Sequence, residues 1–150
     1  MNGKPIHSKR LEPIQRLAQS REDDAALRFA ESQRLLARQE AQLQEMERYL
    51  GEYGAAKAGA AIAPALLANR EAFLRQLAEA LRWQAGAVNE ARNRLEMARQ
   101  NWMGRHRDTG VVDCLLDRSH GHERQAQERR AQRELDEFAQ RMPMSGAAGN

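Results

Sequence analysis

The feature that most constrains the fold is a stripe of mostly apolar side chains, spaced by alternating fours and threes, which occurs twice in the chain. Such spacing places the side chains on one face of an α-helix and is typical of coiled coils. We therefore expect two long helices, each burying its own stripe, or seam. The first seam is Ala25, Phe29, Ser32, Leu36, Gln39, Leu43, Met46, Leu50 and Tyr53, and the second is Leu74, Leu77, Leu81, Gln84, Val88, Ala91, Leu95, Ala98 and Trp102.

Proline and glycine set the expected limits of these helices. Pro13 and Pro64 can each occupy a first helical turn, where the missing N–H costs nothing, and the glycines between Gly51 and Gly59 predict a tip. Pro143 and the Gly/Ala/Ser residues after it end the second helix at about Arg141. We therefore predict a mobile arm over 1–12, one antiparallel coiled-coil domain over 13–142 with its tip at about 54–63, and a disordered tail over 143–150.

The predicted fold class is all-α, a long antiparallel two-helix coiled-coil hairpin whose second helix is longer than the first. Aromatic residues make up only 5% of the chain and charged residues 30%, a composition typical of a helical rod rather than a deep core. With a tip near residue 60, the numbers of facing residues should add up to about 120. Beyond roughly Thr109 the second helix should have nothing to pack on. The expected facing pairs are Leu43 with Leu77, Met46 with Leu74, Leu36 with Gln84, Gln39 with Leu81, Phe29 with Ala91, and Ala25 with Leu95.

The sequence contains no pattern that indicates catalysis, a metal or a cofactor. His120 and His122 lie two residues apart and so on different helix faces, and Cys114 has no partner histidine. We therefore predict no enzyme, no metal and no cofactor. The 24 basic and 21 acidic residues nearly cancel, which argues against nucleic-acid binding. Neither a signal peptide nor a membrane-spanning helix is indicated, so we expect a soluble cytoplasmic chain without direct membrane insertion.

Apolar residues near the tip exceed what a two-stranded seam can bury. Phe73, Ala80 and Trp83 widen the second seam, while Tyr49 and Tyr53 lie on the first helix at the same height. Two interpretations remain open: these residues seal the end of the hairpin, or they form an exposed patch of the composition found at interaction hot spots.

Three segments together resemble the flagellar type III export protein FliJ family. They are Glu52 and Tyr53 before a Gly/Ala tip, NREAFLRQLAEAL over 69–81, and LDEFAQR over 135–141. The resemblance implies an antiparallel coiled coil, similar to the stalk of rotary ATPases, that docks in the flagellar export ATPase ring. It would promote assembly of this ring and link it to the export gate and to export chaperones, at the periphery of the inner membrane.

The resemblance also implies the site residues. The export ATPase ring would contact Leu135 and Phe138. The cytoplasmic domain of the export gate would contact Gln42, Met46, Tyr49, Tyr53, Phe73, Leu77, Ala80 and Gln84, where Gln84 replaces the histidine of some relatives. The competing interpretations are a generic coiled-coil scaffold or tethering protein without a role in export, and a basic nucleic-acid-binding helix protein.

Overall fold

The computed structural model describes residues 6–55 and 64–142, and within these ranges it contains two α-helices and no strand. Helix α1 comprises Ser8–Ala55 and helix α2 comprises Pro64–Arg141, with 48 and 78 residues respectively. The predicted fold class, an all-α antiparallel two-helix hairpin with a longer second helix, is confirmed. The chain divides into two compact units, unit 1 from residues 1–21 and 106–150, and unit 2 from residues 22–105.

The two predicted seams form the interface between the helices of unit 2. All nine residues of the first seam and all nine of the second are buried or half-buried. The most deeply buried are small or branched, namely Ala25, Val88 and Ala91. Small residues let the helices approach closely here, and Phe29 and Trp102 stack with ring centroids 6.0 Å apart. The predicted seams are therefore confirmed.

The predicted facing pairs are wrong by a few residues. The side-chain amide of Gln84 donates to the side-chain oxygen of Gln39 at 2.7 Å and to its main-chain carbonyl at 3.0 Å. The rings of Tyr53 and Phe73 have centroids 5.0 Å apart. The residue numbers in these two pairs add up to 123 and 126, whereas the sequence suggested about 120.

The shift arises where the two helices meet the tip. Helix α2 begins at Pro64 as predicted, but residues 64–69 are all exposed, so α2 runs for more than a turn before it packs on α1. Helix α1 continues through Gly54, whose carbonyl accepts a hydrogen bond from Arg70 at 3.4 Å. A cation at the last turn satisfies a free carbonyl and complements the helix dipole. The tip therefore starts later than residue 54, and residues 56–63 lie outside the described ranges.

In unit 1, α1 begins at Ser8 rather than at Pro13, so the predicted start is wrong. Ser8 donates its backbone N–H to Glu123 of α2 at 3.0 Å, and its hydroxyl lies 2.9 Å from both carboxylate oxygens. A carboxylate is favourable at a helix N-terminus, where backbone N–H groups lack partners within the helix. The backbone N–H of Ser8, then its hydroxyl, lower the pKa of Glu123, and His120 and His7 add to this effect.

The predicted overhang is shorter than expected because α1 begins earlier and α2 packs on it for longer. Thr109 donates its hydroxyl to the carbonyl of Ala18 at 3.3 Å, and Ser119 donates to the carbonyl of Ile6 at 2.6 Å. Packing within unit 1 therefore continues as far as Glu123. Residues 124–142 are all exposed, and we call the helical part of this stretch, 124–141, the C-terminal extension.

The remaining domain predictions concern the chain ends and the number of domains. Residues 1–5 of the predicted arm and residues 143–150 of the predicted tail lie outside the described residues. A single coiled-coil domain over 13–142 stays a prediction.

Candidate interaction surface

A row of three aromatic rings lies near the end of α1 in unit 2. The centroids of Tyr49 and Tyr53 are 6.3 Å apart, and Tyr53 is tilted against Phe73 of α2 at 5.0 Å. Both distances fall in the range of favourable aromatic pairs. Tyr53 is half-buried in the seam, whereas Tyr49 and Phe73 remain 51% and 37% exposed. The row therefore stabilises the helix pair and still presents ring surface to solvent.

The eight residues implied by the resemblance form two stripes with the same spacing, four, three and four. On α1, Gln42 and Tyr49 each come one residue before a seam position, and on α2 Phe73 and Ala80 do the same. In an antiparallel pair of helices, residues that come one position before a seam residue lie on the same side of the seam, whichever helix they belong to. The structure thus brings the two stripes together on one face, which we call the two-helix face: Gln42, Met46, Tyr49, Tyr53, Phe73, Leu77, Ala80 and Gln84.

The observed register also aligns these residues in rows. The numbers of Tyr53 and Phe73 add up to 126, and those of Tyr49 and Leu77, Met46 and Ala80, and Gln42 and Gln84 give the same value. Consecutive rows are therefore about one helical turn apart. The aromatic rings of this face lie towards the tip and the amide side chains lie at its other end, where Gln84 donates hydrogen bonds to Gln39. The sequence did not indicate Gln39 as a neighbour of this face, because the predicted register placed it opposite Leu81.

Trp83 lies outside this face, although its position in the sequence suggested that it belongs with the tip residues. Its side chain is 82% exposed and lines an open groove of about 410 Å³ with Arg82, Gly86, Ala87 and Glu90. No residue of α1 lines this groove. Trp83 therefore belongs to the outer surface of α2, and it serves as a control for experiments on the two-helix face.

The other two predicted site residues, Leu135 and Phe138, lie in the C-terminal extension of unit 1. They are about equally exposed, at 62% and 60%, and three residues apart, so they lie on the same side of α2. With Ala131 and Met142 they form an exposed apolar stripe with the spacing four, three and four. No described residue packs on this stripe.

The described part of the chain holds no group of three or more histidine, cysteine or acidic residues that could bind a metal ion. Cys114 is exposed, and so are His120 and His122. Among residues 6–55 and 64–142, neither helix is apolar enough over a sufficient length to cross a membrane.

The fold and this surface define an antiparallel coiled coil that presents aromatic, aliphatic and amide side chains on a two-helix face. A family model described as "Flagellar FliJ protein" matches residues 7–147 of the 150, and the chain belongs to the FliJ family. The suspected family is therefore confirmed. This family is a non-catalytic component of flagellar protein export, which gives the chain an export-related role. The chain matches no curated protein at a significant level.

Proposed function

We propose that this chain links three parts of the flagellar export apparatus. The two-helix face binds the cytoplasmic domain of the export gate, and the C-terminal extension docks in the export ATPase ring and promotes its assembly. The same chain meets export chaperones and resides in the cytoplasm, held at the inner membrane by these contacts. The observation that carries the proposal is the partly exposed aromatic row of Tyr49, Tyr53 and Phe73 in a chain of the FliJ family.

The composition of the two-helix face supports a role in binding. Protein interfaces concentrate their binding energy in a few aromatic residues surrounded by contacts that exclude water. Tyr49 and Phe73 supply such rings, and their contacts with Tyr53 hold them in place before a partner arrives. Less conformational entropy is then lost on binding. Gln42 and Gln84 provide hydrogen-bonding groups at the other end of the face.

The C-terminal extension supports the second contact. An isolated helix of about 18 residues is marginal in water unless its apolar stripe is covered. Within the described residues, nothing covers Leu135 or Phe138. A ring of ATPase subunits would enclose such a helix and bury both side chains.

Calorimetric titration of the purified cytoplasmic domain of the export gate tests the first contact. We expect Tyr49→Ala and Phe73→Ala each to weaken binding at least about tenfold, which corresponds to about 1.4 kcal/mol. The matched control is Trp83→Ala, which removes a more exposed ring outside the face and should leave affinity unchanged. Wild-type affinity in both face variants would refute the gate contact and favour a generic coiled-coil scaffold.

A titration of the export ATPase with this chain tests the second contact. The wild-type chain should increase ring assembly and turnover, and the double variant Leu135→Ala, Phe138→Ala should lose most of this effect. Met97→Ala, which truncates a 72% exposed side chain in unit 2, is the control. If the double variant stimulated the ATPase as well as the wild type does, the extension would not be the docking element.

A further inference from the structure

The outer surface of α2 carries a groove that the proposed function does not use. It is lined by Arg82, Trp83, Gly86, Ala87 and Glu90, and we call it the outer groove. Trp83 is 82% exposed, more than any other large apolar side chain in residues 6–55 and 64–142. Tryptophan and arginine are enriched among the residues that dominate the binding energy of protein interfaces. The outer groove is therefore a candidate contact with another molecule.

Gly86 gives the outer groove its depth. It lies in the interior of α2, where glycine destabilises a helix relative to alanine. No packing in the described part of the chain requires a glycine here, because nothing lies within 4 Å of the position that a Cβ atom would occupy. A second helix could approach α2 closely at this point, since no side chain separates the two backbones.

The two charged residues of the outer groove lie symmetrically about Gly86. Arg82 comes four residues before it and Glu90 four residues after it, so all three follow one ridge of the helix. Both charged side chains are exposed, and neither belongs to an ion pair within the described residues. If a second α2 crossed the first at Gly86 in the antiparallel direction, Arg82 of each copy would face Glu90 of the other. The charge pattern is thus complementary to itself, which identifies a second copy as the partner.

The position of Trp83 fits the same arrangement. At 100° per residue, Trp83 and Ala87 both lie on the same side of Gly86 around the helix. By the argument used for the two-helix face, an antiparallel pairing keeps this side common to both copies. Trp83 of each copy would therefore reach Ala87 and the aliphatic part of Glu90 in the other copy. No residue of α1 lines the groove, so α1 does not obstruct this contact.

We propose that the occupant of the outer groove is Trp83 of a second copy of this chain, in a twofold dimer whose α2 helices cross antiparallel at Gly86. Each copy supplies one tryptophan and one groove, so the interface is closed and contains two identical contacts. Arg82 and Glu90 form an ion pair across the interface at each end. The dimer uses neither the two-helix face nor the C-terminal extension, and it is therefore independent of the proposed function.

Sedimentation equilibrium of the full chain tests the dimer without any export component. The contact involves about two turns of each helix, which places it among small and weak interfaces, and we expect a dissociation constant on the order of 10–100 μM. At concentrations up to about 1 mM the mass should rise from 17.0 kDa towards twice that value. At lower concentrations the chain is a monomer whose Trp83 is exposed to solvent.

Two substitutions test the crossing point. Trp83→Ala removes the side chain that fills the groove, and Gly86→Ala adds a methyl group where the two backbones come closest. Each should raise the dissociation constant at least about tenfold. Gly86→Ala favours the helix within the monomer, so a loss of dimer in this variant cannot result from unfolding. Leu27→Ala, at a 63% exposed leucine of α1, is the control and should dimerise as the wild type does.

Charge reversal tests the antiparallel direction. Arg82→Glu and Glu90→Arg each place like charges across the interface and should weaken the dimer at least about threefold. The double variant Arg82→Glu, Glu90→Arg has the net charge of the wild type and again joins opposite charges, so it should recover most of the affinity. A parallel crossing would instead bring identical residues together, and neither single reversal would weaken it.

Three results would overturn the proposal. The first is a chain that stays at 17.0 kDa up to about 1 mM. The second is a dimer that Trp83→Ala and Gly86→Ala leave unchanged, because the outer groove would then not be the interface. The third is a double charge-reversal variant that dimerises no better than the two single variants, because Arg82 and Glu90 would then not face each other.

Discussion

The hydrogen-bonded pair of Gln39 and Gln84 makes a quantitative prediction about the seam of unit 2. The amide of Gln84 makes two hydrogen bonds, one to the side chain and one to the main chain of Gln39. A hydrogen bond within a protein contributes about 0.5–1.5 kcal/mol net. Gln84→Ala removes both bonds and should therefore lower the free energy of unfolding by about 1–3 kcal/mol. Gln39→Ala removes one bond and should cost about 1 kcal/mol.

The two changes should not be additive. Once Gln84 is alanine, truncating Gln39 removes no further bond between these side chains, so the double-mutant cycle should give a coupling energy of about 1 kcal/mol. Replacing both glutamines by leucine should have the opposite effect, because the polar pair disappears and the seam becomes continuous. We expect this double leucine variant to be about 1–2 kcal/mol more stable than the wild type.

Urea unfolding followed by circular dichroism gives the free energies of unfolding of these variants. Thermal unfolding provides a check, because a change of 1 kcal/mol should shift the melting temperature by about 2–4 °C. Alanine variants that are both as stable as the wild type, or whose effects are additive within about 0.3 kcal/mol, would contradict a stabilising pair. A double leucine variant less stable than the wild type would show that the polar pair contributes more than an apolar seam.

Three further predictions concern other parts of the molecule. Because its hydrogen bonds with Ser8 lower the pKa of Glu123, their contribution is present above the ordinary carboxyl pKa and is lost as the pH falls through the lowered value. The protection of amides near Ser8 against hydrogen exchange, relative to the intrinsic exchange rate at each pH, should then decrease at acidic pH, and Glu123→Gln should reduce this pH dependence. Iodide should quench the fluorescence of Trp83, which is 82% exposed, more strongly than that of half-buried Trp102, and equal quenching in the two single-tryptophan variants would contradict the structure. Gly86→Ala should raise the stability of α2 by about 0.5–1 kcal/mol, because nothing lies within 4 Å of the added methyl group, and a fall in melting temperature would show a contact that the structure lacks.

The sequence was sufficient to predict the helices and their buried faces because these depend on local spacing. All residues from Ala25 to Tyr53 that follow the seam spacing are buried or half-buried, although Ser32 and Gln39 are polar. Ser32 is accommodated by donating its hydroxyl to the carbonyl of Arg28 within its own helix. The start of α2 at Pro64 and its end at Arg141 likewise follow from residues at those positions.

What the sequence could not provide were the contacts between distant segments. The first turn of α1 depends on Glu123, 115 residues away, so no local signal marked Ser8 as the start. The register depends on how far α2 runs before it meets α1, and composition alone does not determine that distance.

For the two-helix face, the residue types and the family resemblance together identified the members, but their alignment required the structure. Residue type does not distinguish Tyr49, Phe73 and Trp83, because all three are aromatic. The first two nevertheless share the two-helix face, and the third lies outside it. The binding roles of these residues stay predictions.

The bonds between Ser8 and Glu123 also have a consequence for the order of folding. They close a loop of 115 residues, whereas Gln39 and Gln84 of unit 2 close one of 45. The longer closure costs about 0.8 kcal/mol more in chain entropy, so the contacts of unit 2 should form first on the folding pathway. Ser8 and Glu123 are then the last to join and the first to separate, which makes the beginning of α1 the part of the molecule where unfolding starts.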